Sequence, residues 1–95
     1  KLQSEMQKAA ELAKNIVVEA EAGAGLVKVS ANGEGAIVSI TVDPELTGPD
    51  DLDVLQDLIR TACNRALERA KTQAQNEIQK AAGGLMPGGF PFGGG

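Results

Sequence analysis

The chain has 95 residues, with 13 Asp+Glu against 9 Lys+Arg and no His, Trp or Tyr. That length holds one domain, and the missing imidazole removes the commonest general base and the usual zinc ligand. Cys63 is alone, so neither an intramolecular disulfide nor a cysteine-rich metal site can form, and no apolar run approaches the roughly 20 residues that span a bilayer.

Met6, Ala9, Ala13 and Ile16 recur at spacings of four and three from Leu2 onward, which predicts a helix with one narrow apolar stripe. The period then changes. In "VVEAEA", Val18, Ala20 and Ala22 alternate with Glu19 and Glu21, as in a strand with one wet face. "LVKVSA" and "AIVSITV" follow as two more strands, separated by Asn32-Gly33. That dipeptide predicts a hairpin of type I′, whose two central residues both take positive φ, with Gly35 marking a bulge or a longer loop. Gly23 and Gly25 predict a tight reversal between the first two strands, completing an antiparallel meander. These glycines do not read as a phosphate cradle, which needs a helix immediately after the loop.

Pro44, Gly48 and Pro49 interrupt regular structure in "DPELTGPDDLD". Asp50 is the expected N-cap of a following helix, with Asp53 in its first turn. Leu55, Ile59, Ala62, Cys63, Ala66, Ala70, Ala74 and Ile78 or Ala81 carry that helix through about eight turns, to a stop at Gly83 and Gly84. "GGLMPGGFPFGGG" is too rich in Gly and Pro to pack, so residues 83–95 are expected to be a disordered tail beyond a domain of residues 1–82. Fourteen alanines, and no aromatic residue before Phe90, leave a thin aliphatic core, and burial against a second copy is the natural remedy.

Few groups could do chemistry. Asp50, Asp51, Asp53 and Asp57 are spaced as a helix start and lack the glycine-centred pattern of a calcium loop. Cys63 falls on the apolar stripe and has no basic partner to activate it. The division of charge is more informative. Residues 58–82 hold Arg60, Arg65, Arg69, Lys71 and Lys80 against Glu68 and Glu77, an excess of three positive charges in an acidic chain. At 100° per residue Arg65 and Arg69 lie off the apolar stripe, with Lys80 near Arg69, while Arg60 and Lys71 lie on the other flank.

"GAGLVKVSANG" (Gly23–Gly33), "VDPEL" (Val42–Leu46) and "LQDLIRTACNRAL" (Leu55–Leu67), in this order, closely resemble the YbaB/EbfC family of small bacterial nucleoid-associated proteins. The glycine run before "LVKV", the Asn-Gly turn at Asn32-Gly33, the Asp43-Pro44 step and the helix positions Leu55, Asp57, Leu58, Ile59, Ala62, Asn64 and Ala66 carry the likeness, which covers roughly residues 1–82. Arg65 stands where the family usually has an acid, and Lys71 often corresponds to one. Ala24 replaces the middle glycine of the family's run, which the turn accepts if its φ stays negative.

The resemblance implies an α-β-β-β-α fold, α+β in class, with a three-stranded antiparallel sheet and a long C-terminal helix. It also implies a homodimer whose paired helices protrude like tongs around duplex DNA, in the cytoplasm and on the nucleoid. Such proteins are regulators and not enzymes; no catalytic residue, metal, cofactor, membrane or small-molecule substrate is expected. The basic side chains Arg60, Arg65, Arg69, Lys71 and Lys80 of the long helix, with Lys8 and Lys14 of the first, are the candidates for pairing with phosphates. The alternative is a protein-interaction adaptor using an exposed apolar stripe near Ala70, Ala74 and Ile78, together with Phe90 and Phe92 of the tail.

Overall fold

The computed structural model describes residues 2–85, with side chains described from Met6 to Lys80. Helix α1 (Leu2–Asn15) leads into strands β1 (Val17–Ala22), β2 (Val27–Asn32) and β3 (Ile37–Val42). Two 3-10 turns, Pro44–Thr47 and Pro49–Asp51, then carry the chain into helix α2 (Leu52–Leu85). The strands pair antiparallel in the order β1-β2-β3, so the expected α-β-β-β-α architecture is the one found.

Alternation decides which face of the sheet is buried. On β1, Ala20 and Ala22 are buried and Val18 half-buried, while Glu19 and Glu21 are exposed. Their neighbours on β2, Val27, Val29 and Ala31, are fully buried on the same face, beneath α2. From the helix side Ala62, Ala66, Ala70 and Ala74 meet them, four residues apart and all buried. Alanine against alanine lets helix and sheet approach closely, but each methyl contributes only about 0.8 kcal/mol of burial. Val27 and Val29 are the largest fully buried side chains. The core is as thin as the composition implies.

α2 covers β1 and β2 and barely touches β3. Every residue of Ile37–Thr41 is therefore exposed, including Val38 at 54% and Ile40 at 46%. The pairing of β2 with β3 also slips by one residue between Ser30 and Ala31, which leaves Ala31 opposite Ile37.

The two reversals exchange the roles expected of them. Both central residues with positive φ occur at Ala24 (56°) and Gly25 (91°), closed by Leu26 N–H donating to the Gly23 carbonyl at 3.2 Å. That is the type I′ signature, and Gly23 is positive too, at 67°. Ala24 is thus left-handed, contrary to expectation, at a cost of roughly 1–2 kcal/mol for a residue with a Cβ.

The second hairpin has a three-residue loop. Gly35 N–H donates to the Asn32 carbonyl at 3.0 Å, and Gly35 alone takes positive φ, at 93°, as in a type I turn followed by a glycine bulge. Asn32 Oδ1 accepts from the N–H groups of Glu34 and Ala36 and holds the loop closed. Gly33 is needed for another reason. Its N–H donates to the carbonyls of Ala13 (2.9 Å) and Ile16 (3.0 Å), pinning the hairpin to the end of α1. A Cβ there would stand 2.6 Å from the Ala13 oxygen and 2.7 Å from the Ala74 methyl.

Asp50 is not the N-cap of the long helix. Pro49 lacks an N–H and suits a first helical position, so helical geometry begins there as a 3-10 turn preceded by Gly48, with no side-chain cap. The capping carboxylate is Asp43, which accepts from Glu45 N–H at 2.9 Å at the earlier turn. Asp53 does lie in the first turn of α2. At its other end α2 passes through Gly83 and Gly84 to Leu85 instead of stopping at them. Phe90, Phe92 and the rest of the expected tail beyond Leu85 lie outside the described residues.

Candidate nucleic-acid interface

Gly33 marks the place where α1, the β2–β3 hairpin and α2 meet, through Ala13 on one side and Ala74 on the other. α2 has 34 residues, about 51 Å at 1.5 Å per residue, and 11 of them lie beyond Ala74. α1 packs on α2, with Ala13 buried and Ala9 half-buried in its stripe, although Met6 at the same stripe is 65% exposed. The distal part of α2 and the partnering α1 thus form a two-helix arm carried by the sheet.

All seven candidate basic residues are exposed, but they do not form one patch. Lys8 and Lys14 flank the α1 stripe on opposite sides, each roughly 120° from its centre. On α2, Arg60 and Lys71 point away from the sheet, about 20° apart around the helix axis, and Arg65, Arg69 and Lys80 follow another line. Two of the seven have acidic partners on their own helix. Arg60 pairs with Asp57, and Lys80 Nζ lies 3.6 Å from Glu77, which also accepts from Gln73 at 3.2 Å. Lys14 and Lys71 belong to no ion pair among the described residues.

Arg65 and Arg69 are the best-placed pair. Arg65 Nη1 donates to the main-chain oxygen of Glu21 and Arg69 Nη1 to that of Glu19, each at 2.9 Å. The match is geometric. Four residues of helix rise about 6 Å and two residues of strand about 6.8 Å, so an i,i+4 pair of arginines fits alternate carbonyls of one strand edge. Each guanidinium has five N–H donors and keeps most of them for other acceptors. Periodicity alone places both arginines on a solvated face. Measured from the buried Ala62–Ala66–Ala70 row, however, Arg69 is only about 60° away, and that angle is the signal in the sequence for the sheet contact.

The stripe required by the adaptor reading is not open: Ala70 and Ala74 are buried and Ile78 is half-buried within the chain itself. No helix among the described residues is long and apolar enough to cross a membrane.

The model of the YbaB/EbfC DNA-binding family matches residues 1–85, which include every described residue. The chain belongs to this family. It is 46% identical over 91 residues to a nucleoid-associated protein of Clostridium novyi, covering 95% of this chain and 80% of that one. It is likewise 46% identical over 89 residues to one from Anaeromyxobacter dehalogenans, covering 93% of this chain and 86% of the relative. Among solved structures, an uncharacterized protein of Helicobacter pylori superposes with a TM-score of 0.66 at 25% identity, covering 79% of this chain and 87% of that one. The family is one of nucleoid-associated, DNA-binding proteins, and the α-β-β-β-α architecture read from the sequence is the architecture of this member.

Proposed function

We propose that this protein binds duplex DNA as a homodimer, chiefly through backbone phosphates, and so organises the nucleoid or modulates gene expression without catalysing a reaction. The observation that carries this reading is the charge of α2. Five basic and two acidic residues between positions 58 and 82 give an excess of +3 on one exposed helix. Two copies bring +6 to a pair of arms, while Glu19, Glu21 and the Asp50–Asp57 segment keep the rest of the chain acidic. A local field of this kind attracts a polyanion although the whole chain carries −4. Arg65, Arg69, Lys71 and Lys80, with Arg60, Lys8 and Lys14, supply the phosphate contacts, and Gln73, Gln75, Asn76 and Gln79 add amide donors to the same helix. Nothing in this arrangement favours one base sequence.

Fluorescence polarisation of labelled duplexes of unrelated sequence, titrated at two salt concentrations, tests it. Similar affinities for all duplexes are expected, falling steeply with salt. Affinity that ignores salt, or no binding at low salt, overturns the reading.

A further inference from the structure

The fold favours the dipeptide Asn32-Gly33 on two independent grounds. Packing demands glycine at position 33, where a Cβ would stand 2.6 Å from the Ala13 oxygen and 2.7 Å from the Ala74 methyl. Loop closure favours asparagine at position 32, whose Oδ1 accepts from Glu34 N–H at 3.0 Å and Ala36 N–H at 3.1 Å. Together they form the asparagine sequence most prone to deamidation. A following glycine offers its main-chain nitrogen to the side-chain amide with no Cβ in the way. The chain's other asparagines, Asn15, Asn64 and Asn76, precede Ile16, Arg65 and Glu77, whose side chains hinder the same approach.

The two reacting groups are held in opposite ways. The electrophile is activated. Two main-chain N–H groups on Oδ1 polarise the amide and would share the charge that attack on Cγ places on that oxygen. The nucleophile is withheld. Gly33 N–H donates to the carbonyls of both Ala13 (2.9 Å) and Ile16 (3.0 Å), which retain its proton and fix the nitrogen against the end of α1. Ala13 belongs to α1 and Ile16 to the link behind it, whereas the donors to Oδ1 belong to the hairpin loop. α1 is lightly held: Ala13 is buried and Ala9 half-buried, but Met6 on the same stripe is exposed. Segments with so little apolar contact open locally at less cost than the whole domain.

We propose that Asn32 is a deamidation site whose gate is the docking of α1. When α1 lifts, Gly33 N–H loses its acceptors and gives its proton to a base in solvent, and the nitrogen bonds to Asn32 Cγ. The Cγ–Nδ2 bond breaks, and Nδ2 leaves as ammonia after taking up a proton from solvent. Water then opens the succinimide at either ring carbonyl and leaves aspartate or isoaspartate at position 32. In sum, amide and water become carboxylic acid and ammonia. Isoaspartate routes the main chain through the former side chain and lengthens it by one carbon, so Gly33 no longer meets Ala13. The change is one-way. It adds a negative charge at the root of the two-helix arm and records how long α1 has spent undocked.

The whole chain, kept in mildly alkaline buffer, tests this. The peptide containing Asn32 is followed by mass spectrometry and by labelling with isoaspartyl methyltransferase. Deamidation should be about 10-fold or more slower in the folded chain than in the same chain unfolded by urea. Ala13→Asp places a charge in the α1 contact. With circular dichroism confirming the remaining fold, it should bring the rate to within about 3-fold of the unfolded one. Asn15, Asn64 and Asn76 should stay intact over the same period. Hydrogen exchange in the wild type covers the case in which that variant unfolds. Gly33 N–H should exchange faster than Val29 N–H of the central strand, and its rate should rise in parallel with deamidation as urea is added below the unfolding transition. Equal deamidation in folded and unfolded wild type, an unchanged rate in folded Ala13→Asp, or a Gly33 amide that exchanges no faster than Val29 overturns the proposal.

Discussion

Arg69 and Glu19, fifty positions apart in the chain, are joined by a hydrogen bond from Nη1 to the main-chain oxygen, 2.9 Å long. Together with Arg65 on Glu21, this gives two arginines a structural task in addition to the proposed phosphate contacts. The two tasks separate experimentally. In Arg65→Ala/Arg69→Ala the salt slope of DNA binding should shrink by about 1 for each phosphate that is no longer neutralised. Independently of DNA, stability should fall by about 1 kcal/mol per bond removed, since both sites are exposed. The unguarded β1 edge should also add species larger than the dimer in sedimentation velocity. Unchanged DNA affinity in a folded double variant would remove these residues from the nucleic-acid contact while leaving their structural effect intact.

The remaining basic residues should rank by how fully their charge is already answered. Arg60 is paired with Asp57, whereas Lys71 has no acidic partner among the described residues. Lys71→Ala is expected to weaken binding more than Arg60→Ala in polarisation titrations. Lys28, exposed on the sheet face away from α2, should matter least. Equal losses at all three positions would indicate diffuse attraction without a defined arm.

Gly33→Ala should be among the most damaging single-methyl additions. The added carbon meets a carbonyl oxygen at 2.6 Å and a buried methyl at 2.7 Å, and neither belongs to a flexible side chain. Separating α1, the hairpin and α2 to admit it should cost about 1–3 kcal/mol, read from urea denaturation. Gly35→Ala, with open space around the site, tests φ instead and should cost about 1 kcal/mol.

Ala24→Gly should stabilise the protein. The residue sits at φ 56° between two glycines that also take positive φ. Removing its Cβ relieves left-handed strain at the expense of a more flexible unfolded chain, for a net gain of about 0.5–1 kcal/mol. A lower melting temperature in the variant would show that the turn draws more from the alanine methyl than the strain costs.

Much of this fold is legible in the sequence because the periods are clean. Val18, Ala20 and Ala22 against Glu19 and Glu21 determine a wet face without any tertiary information. Which glycine does which task is not legible. Asn32-Gly33 and Gly23-Ala24-Gly25 both read as reversals, and only the closeness of Ala13 and Ala74 shows that Gly33 is a contact residue instead of a left-handed one. Asp50 reads as a cap because carboxylates favour that position, but Pro49 starts helical geometry ahead of it. The candidate basic residues follow from composition and helical spacing. Their partners at Glu19, Glu21, Asp57 and Glu77 depend on where the helix lies against the sheet and on rotamers that a sequence does not specify.

Because α2 is one unbroken rod from Leu52 to Leu85, it acts as a lever whose fulcrum is the alanine row at the sheet. The segment beyond Ala74 is about 16 Å long, so a tilt of about 10° at the fulcrum swings the tip by roughly 3 Å. Methyl groups interlock shallowly, and a helix resting on them can rock further than one keyed in by leucines. Small differences at Ala62, Ala66 and Ala70 would therefore be magnified at the arm tip and, in the proposed homodimer, in the spacing between two tips. A single Ala66→Val change, buried at the fulcrum and altering no charge, is a way to retune the width of duplex that the proposed pair of arms would admit.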